Sequence, residues 1–205
     1  MDHPTKTCVL SPLMVVLLTF LVAIATGCAT HRVQDPLTPE TPQLMAFNSY
    51  PIYVEVRSQH GDRVDVDVVP GNFNTNDGPV VLAASHDDWL TQGLRNAFRS
   101  AGFHIATEHT SQAPAIIASV KEFRGEQRSG FPLPLFGFVS SFDVTLRIPT
   151  SGQDVVFQRA FVATARQRSR GGTSNRNKEE LIREALDEVF IEIVEETYDL
   201  LSTGR

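Results

Sequence analysis

Apolar and polar residues alternate through Ile52-Tyr-Val-Glu-Val-Arg57, the period-two signature of a strand with one buried face. Val64-Asp-Val-Asp-Val68 repeats the pattern, and Pro79-Val-Val-Leu82 and Phe103-His-Ile-Ala106 are shorter strand candidates. The spacing then becomes helical. Trp89, Leu90, Leu94, Ala97, Phe98 and Ala101 fall on one stripe, Ser85 is placed to cap it, and Asp87 and Asp88 suit the positive end of its dipole. Gly102 is a natural stop. Ala115 to Phe123 reads as a strand. Phe138, Ser140, Phe142, Val144, Leu146 and Ile148 share one face of a long one. Pro149-Thr-Ser-Gly152 turns the chain into a partner over Val155 to Thr164. Asn177, with Glu180 three residues on, predicts the capped start of a last helix. Its stripe is Leu181, Ile182, Ala185, Leu186, Val189, Phe190, Ile193, Val194 and Thr197. Glu184, Asp187, Glu188, Glu192, Glu195 and Glu196 form its wet side.

The N-terminus is of another kind. An apolar run of about 14 residues, Pro12 to Ala25, precedes Thr26-Gly27-Cys28. It is shorter than the roughly 20 residues a spanning helix needs, and it fits the core of a signal peptide. Ala25-Thr26-Gly27-Cys28 resembles the lipobox of bacterial lipoproteins, with Ala25 where leucine is commonest. The resemblance implies cleavage between Gly27 and Cys28 and a covalent lipid on the Cys28 thiol. Ala29, in place of a retaining aspartate, implies the periplasmic face of the outer membrane. Acyl chains contribute roughly 0.8 kcal/mol per buried methylene, so two or more give a stable anchor.

These patterns divide the chain into a signal peptide, 1–27, a lipidated tether, 28–48, and a domain, 49–205. The tether holds Pro36, Pro39 and Pro42 among polar residues and is expected to be extended and disordered. At about 3 Å per residue it reaches about 60 Å. The expected fold class is α+β: a mainly antiparallel sheet with two helices packed on one face, after the signal peptide and the disordered linker.

Composition narrows the function. The chain has 205 residues and a net charge of -6. Such a mildly acidic chain does not offer the clustered cations nucleic acid requires. Of its two cysteines, Cys8 leaves with the leader and Cys28 is lipidated. The mature domain then has no thiol for a disulfide, a nucleophile or a metal.

The layout resembles the YajG-like bacterial lipoproteins. The most specific local match is Trp89-Leu-Thr-Gln-Gly-Leu-Arg-Asn-Ala-Phe-Arg-Ser-Ala-Gly-Phe103. The resemblance covers most of the mature chain. It implies an outer-membrane-anchored protein with no catalytic residues to carry over. The same outline also looks like envelope transport auxiliary lipoproteins.

No constellation predicts catalysis. His86-Asp87-Asp88, with His104 or His109, has metal-binding residue types. Consecutive positions on a helix point apart, however, and capping explains the acids. Asp65 and Asp67 read as the wet face of a strand. Ser129, Ser140 and Ser141 lack a nucleophile-elbow context, and Gly171-Gly172 lacks a phosphate-loop context. Arg166, Arg168, Arg170 and Arg176 read first as a solvated basic loop, and otherwise as a contact for phosphate headgroups or an acidic partner. No metal, cofactor or catalytic residue is expected beyond the lipid on Cys28.

Gly130-Phe-Pro-Leu-Pro-Leu-Phe-Gly137 differs from an ordinary connection, which is polar. Phe131, Leu133, Leu135 and Phe136 either fold back over the core or form a contact loop for a protein or lipid partner. On the contact reading, Phe131 and Phe136 are exposed. The sequence therefore favours an anchored, non-catalytic interaction or scaffolding protein of the cell envelope, with an auxiliary subunit of a lipid or ABC-type transport system as the alternative. Cys28→Ala is expected to abolish palmitate labelling and leave an unprocessed precursor. Unchanged labelling of the variant would refute the lipidation.

Overall fold

The computed structural model describes residues 31–33, 35–41, 44, 51–58, 80–82, 86–128, 133, 135–150, 152–168 and 175–203. Its elements are β1 (His31–Val33), β2 (Tyr53–Ser58), β3 (Val80–Leu82), α1 (His86–Ser100), β4 (Ala115–Arg128), β5 (Leu135–Ile148), β6 (Val155–Arg168) and α2 (Asn175–Thr203). The signal peptide, the lipobox and the strand expected at 64–68 lie outside the described residues.

The fold is α+β, built on one four-stranded sheet in the order β2-β4-β5-β6. β4, β5 and β6 are antiparallel, with Ala115 opposite Arg147 and Ile148 opposite Val155. β2 pairs parallel to β4, so the sheet is mixed. A parallel pairing needs a crossover, and α1 lies in the connection from β2 to β4. β1 and β3 form a separate two-stranded parallel pair, so Val80–Leu82 does not join the main sheet. The expected strand at 103–106 is reduced to a bridge between Ile52 and Ile105.

One face of the sheet is buried. The alternation in β5 sets it: Phe136, Phe138, Ser140, Phe142, Val144 and Leu146 all point inward. Ile116, Ala118, Val120, Phe161 and Ala163 flank them. A bulge between Val120 and Glu122 resets the register of β4, so Phe123 also points inward, edge-on to Phe138 at 5.1 Å. The helices cover this face. α1 buries Trp89, Leu90, Leu94, Ala97 and Phe98. α2 buries Ile182, Leu186, Val189, Phe190, Ile193 and Val194, and leaves Glu184, Glu188, Glu192 and Glu195 exposed.

α1 ends as its sequence predicts. Gly102 takes φ 96°, and Phe103 N donates to Phe98 O at 2.9 Å. That pairing closes the last turn with Phe103 packed on Phe98. The start of α2 differs from expectation: the helix begins at Asn175, so Asn177 lies inside it and is not the cap. Glu180 instead receives Arg176 from one turn earlier, at 3.0 Å.

Part of the expected tether belongs to the domain. Residues 35–41 form neither helix nor strand, and they are docked along α1 and not left free. Leu37 is 1% exposed and enters the core. Trp89 Nε1 donates to Asp35 O at 3.1 Å, Asn96 Nδ2 to Leu37 O at 2.8 Å, and Thr41 Oγ1 to Ala97 O at 2.9 Å. Arg183 of α2 donates to Asp35 O at 2.7 Å and to Pro36 O at 3.2 Å. Leu37 fits because α1 has Gly93 beneath it. A β-carbon there would lie 2.8 Å from Leu37 and 2.9 Å from Phe190. A mid-helix glycine costs about 1 kcal/mol relative to alanine, and here it provides close approach.

Leu186→Ala should cost about 2 to 5 kcal/mol as a buried large-to-small change. Glu192→Ala, on the wet side near Arg159, should cost less than about 0.5 kcal/mol. Urea unfolding of both variants checks this, and similar midpoints would mean that α2 is not docked as described.

Candidate functional site

The connection between β4 and β5 is shorter than its composition suggests. β4 runs to Arg128 and β5 starts at Leu135, paired with each other across the hairpin. Leu135, Phe136 and Gly137 are therefore strand residues. Phe136 follows the inward phase of Phe138 and is 1% exposed, so its expected exposure is overturned. Leu135 takes the opposite phase and is half-buried, as is Leu133. Phe131 lies outside the described residues, as do Gly27 and Cys28. The structure thus divides the four apolar residues: Phe136 belongs to the core, while Leu133 sits in the connection.

The second face of the sheet is open. Lys121 and Asp143 pair across β4 and β5 at 3.2 Å. With Ser119, Thr145 and Gln158 they line a groove of about 370 Å³. Tyr53 and Arg57 of β2 both donate to Glu55, at 3.1 and 2.7 Å, and the Arg57 hydrogen bond leads in holding that carboxyl below its ordinary range. Val156 and Val162 of the edge strand β6 are 53% and 59% exposed. Polar residues with isolated apolar ones suit a contact surface more than a small-molecule pocket. On the covered side, the space bounded by Val144, Leu146, Phe161, Ile193 and Leu200 holds about 20 Å³, room for about one water.

His86 opens α1 beneath the β4–β5 hairpin. Its ring stands edge-on to Phe123 at 4.3 Å, and Nδ1 lies 3.4 Å from Asp87 Oδ1. Asp87 Oδ2 accepts the backbone N–H of Ser58 at 2.9 Å, tying the helix start to the end of β2. Nε2 is buried without a partner among the described residues. Burial pushes the imidazole below its ordinary 6.5, and Asp87 opposes the shift. His104 lies beyond the other end of α1, and His109 packs on Tyr53. The histidines are therefore not brought together. Among the described residues no three His, Cys, Asp or Glu side chains are placed to hold a metal. Ser140 is buried in the sheet and Ser141 is on the opposite face.

Two features escaped the sequence pattern. Lys178 is fully buried near the start of α2. Asp187, expected on the wet side, is half-buried, and burial pushes its carboxyl up against the opposing pull of Arg183. The signal for Asp187 was its place between Leu186 and Val189, at the rim of a stripe too broad to leave its edges fully wet.

In sequence, no family model and no curated protein matches the chain. In three dimensions it is similar to several solved structures. One, described only as an uncharacterized protein, is 15% identical with a TM-score of 0.53, over 82% of this chain and 99% of its own. A DUF330 protein from Xanthomonas campestris is 16% identical with a TM-score of 0.51, over 86% and 97%. A candidate lipoprotein from Caulobacter crescentus is 18% identical over 56% and 78%, with a TM-score of 0.34 that carries no argument. At these identities the likeness is one of fold.

The two shifted groups predict opposite pH effects. His86 binds its proton less readily when folded, so its contribution to stability is full above pH 6.5 and is lost as pH falls. Asp187 binds its proton more readily when folded, so its burden is greatest at neutral pH and eases on acidification. His86→Gln should reduce the loss of stability between pH 7 and pH 5. Asp187→Asn should raise the melting temperature at pH 7, with the gain shrinking toward acid. Thermal melts across this range check both signs.

Proposed function

We propose that this chain is a YajG-like bacterial lipoprotein, anchored through a lipid on Cys28 at the periplasmic face of the outer membrane, that acts as a non-catalytic interaction or scaffolding protein of the envelope. The observation that carries the reading is Ala25-Thr26-Gly27-Cys28 directly after a short apolar run, placed seven residues before Asp35, where the chain joins the domain. Among the described residues no helix is long and apolar enough to cross a membrane. A fold shared with the DUF330 protein is compatible with this role and assigns none. The shape of the domain supports interaction: one sheet face is closed by two helices, and the other carries ion pairs, hydroxyls and Val162. Contact would come from that open face and from the β4–β5 connection, through Phe131 and Leu133.

In-cell photocrosslinking tests this. A benzophenone side chain placed at Val162 or at Leu133 should capture a defined envelope protein or a lipid. Glu188, exposed on α2, serves as control. Capture should disappear with Cys28→Ala, because the unanchored chain is misplaced. Equal, unspecific labelling at all three positions would contradict an interaction role. Capture of a subunit of a transport system would identify the auxiliary role specifically.

A further inference from the structure

The tether is shorter than its composition suggests, and where it leaves the domain fixes which end meets the membrane. The chain runs along α1 from its first turn to its last: Asp35 at Trp89, Leu37 over Gly93, Thr41 at Ala97, and Leu44 near Gly102. It then returns antiparallel to α1 as β2, with Arg95 at Val54 and Asp87 at Ser58. Whatever precedes Asp35 therefore leaves at the N-terminal end of α1. That end also holds the β4–β5 connection, because His86 packs on Phe123 and Phe123 on Phe138. It holds the start of α2, because Arg183 lies over Trp89 at 5.8 Å. The β5–β6 turn at Gly152 lies at the opposite end of strands of 14 residues, about 45 Å away.

Cys28 and Asp35 are seven residues apart in sequence. Covalent geometry limits that span to about 25 Å, and a flexible chain of this length averages about 15 Å. Both are less than the long axis of the domain. β1, which pairs with β3 only three residues after Cys28, restricts the segment further.

We propose that the end of the domain formed by Asp35, Leu133 and the first turns of α2 faces, at close range, the lipid surface in which Cys28 is anchored. The inference rests on the lipid anchor proposed above. The length and exit point of the tether set this orientation. It needs no contribution from charge, even though Arg166, opposite Gly137, is exposed at this end. Arg124 pairs with Glu122 at 3.3 Å, and Arg176 pairs with Glu180 at 3.0 Å. The Gly152 turn is then carried away from the bilayer, and the open face runs outward from the lipid surface along the strands.

Energy transfer to a membrane tests the orientation. With Cys8 cleaved and Cys28 acylated, an introduced cysteine is the only thiol. The lipidated protein carries a donor dye at Arg176→Cys, which is 84% exposed, or at Gly152→Cys, where an added side chain meets nothing within 4 Å. It is reconstituted into phosphatidylethanolamine–phosphatidylglycerol vesicles with headgroup-labelled acceptors. Transfer should be greater from 176 than from 152 at both low and high salt. A thirty-residue Gly-Ser insertion after Thr30, which leaves the docked segment intact, should remove most of the difference. Equal transfer from both sites in the membrane-bound protein would overturn the orientation while leaving the anchor standing. A difference that survives the insertion would overturn the tether as its cause. Protein that fails to enter vesicles would refute the anchor itself, and the orientation with it.

Discussion

Leu37 resting on Gly93 is the contact on which the arrangement of this domain depends. Three elements meet there: the chain that precedes the sheet, α1, and α2 through Phe190. A side chain at position 93 would separate them. Around this apolar point, Asn96 and Thr41 hold the segment to α1, while Arg183 reaches across from α2 to the carbonyls of Asp35 and Pro36. The segment thus joins two helices that are far apart in sequence. α1 lies chiefly over β2, and α2 over β6 and β5, where Phe190 meets Phe142, so the cover of the sheet is organised around a stretch lying before the first strand of that sheet.

This closure leaves the domain two-sided. Phe136, Phe138 and Phe142 fill the covered face of β5, while Asp143 and Thr145 project from the other. Antiparallel sheets with one wet face are common, and the wet face is free to bind. β6 adds an outer edge bearing Arg159 and Arg166 along with Val156 and Val162; charged side chains at an edge discourage indiscriminate pairing. A domain of this kind has surfaces to offer.

Much of this was legible in the sequence because it follows from local periodicity. The phase of β5, the inward stripe of α2 and the glycine stop of α1 each depend on residues a few positions apart. What was missed depends on long-range partners. Leu37 is one apolar residue among prolines and polar groups, and only the notch at Gly93, 56 residues later, makes it core. A glycine within the otherwise strong helical pattern of Trp89 to Phe103 was the available signal. Phe136 was misplaced for a related reason: Pro132 and Pro134 suggested a long loop, but pairing with β4 extends the strand to Leu135 and gives Phe136 its inward phase. The parallel pairing of β2 is invisible to alternation, which reports the buried face and not the neighbour. The candidate site was half legible: the lipobox is read from sequence alone, whereas the division of the 131–136 segment between core and surface required the fold.

Residues 35–41 belong to the folded domain and are not free tether. Urea unfolding of two truncated forms, one starting at residue 34 and one at residue 45, both without β1, tests this. Loss of the docked segment removes a buried leucine and its hydrogen bonds. The shorter form should therefore unfold at clearly lower urea, by at least the roughly 2 to 5 kcal/mol of a buried leucine truncation. Coincident unfolding curves would contradict the account.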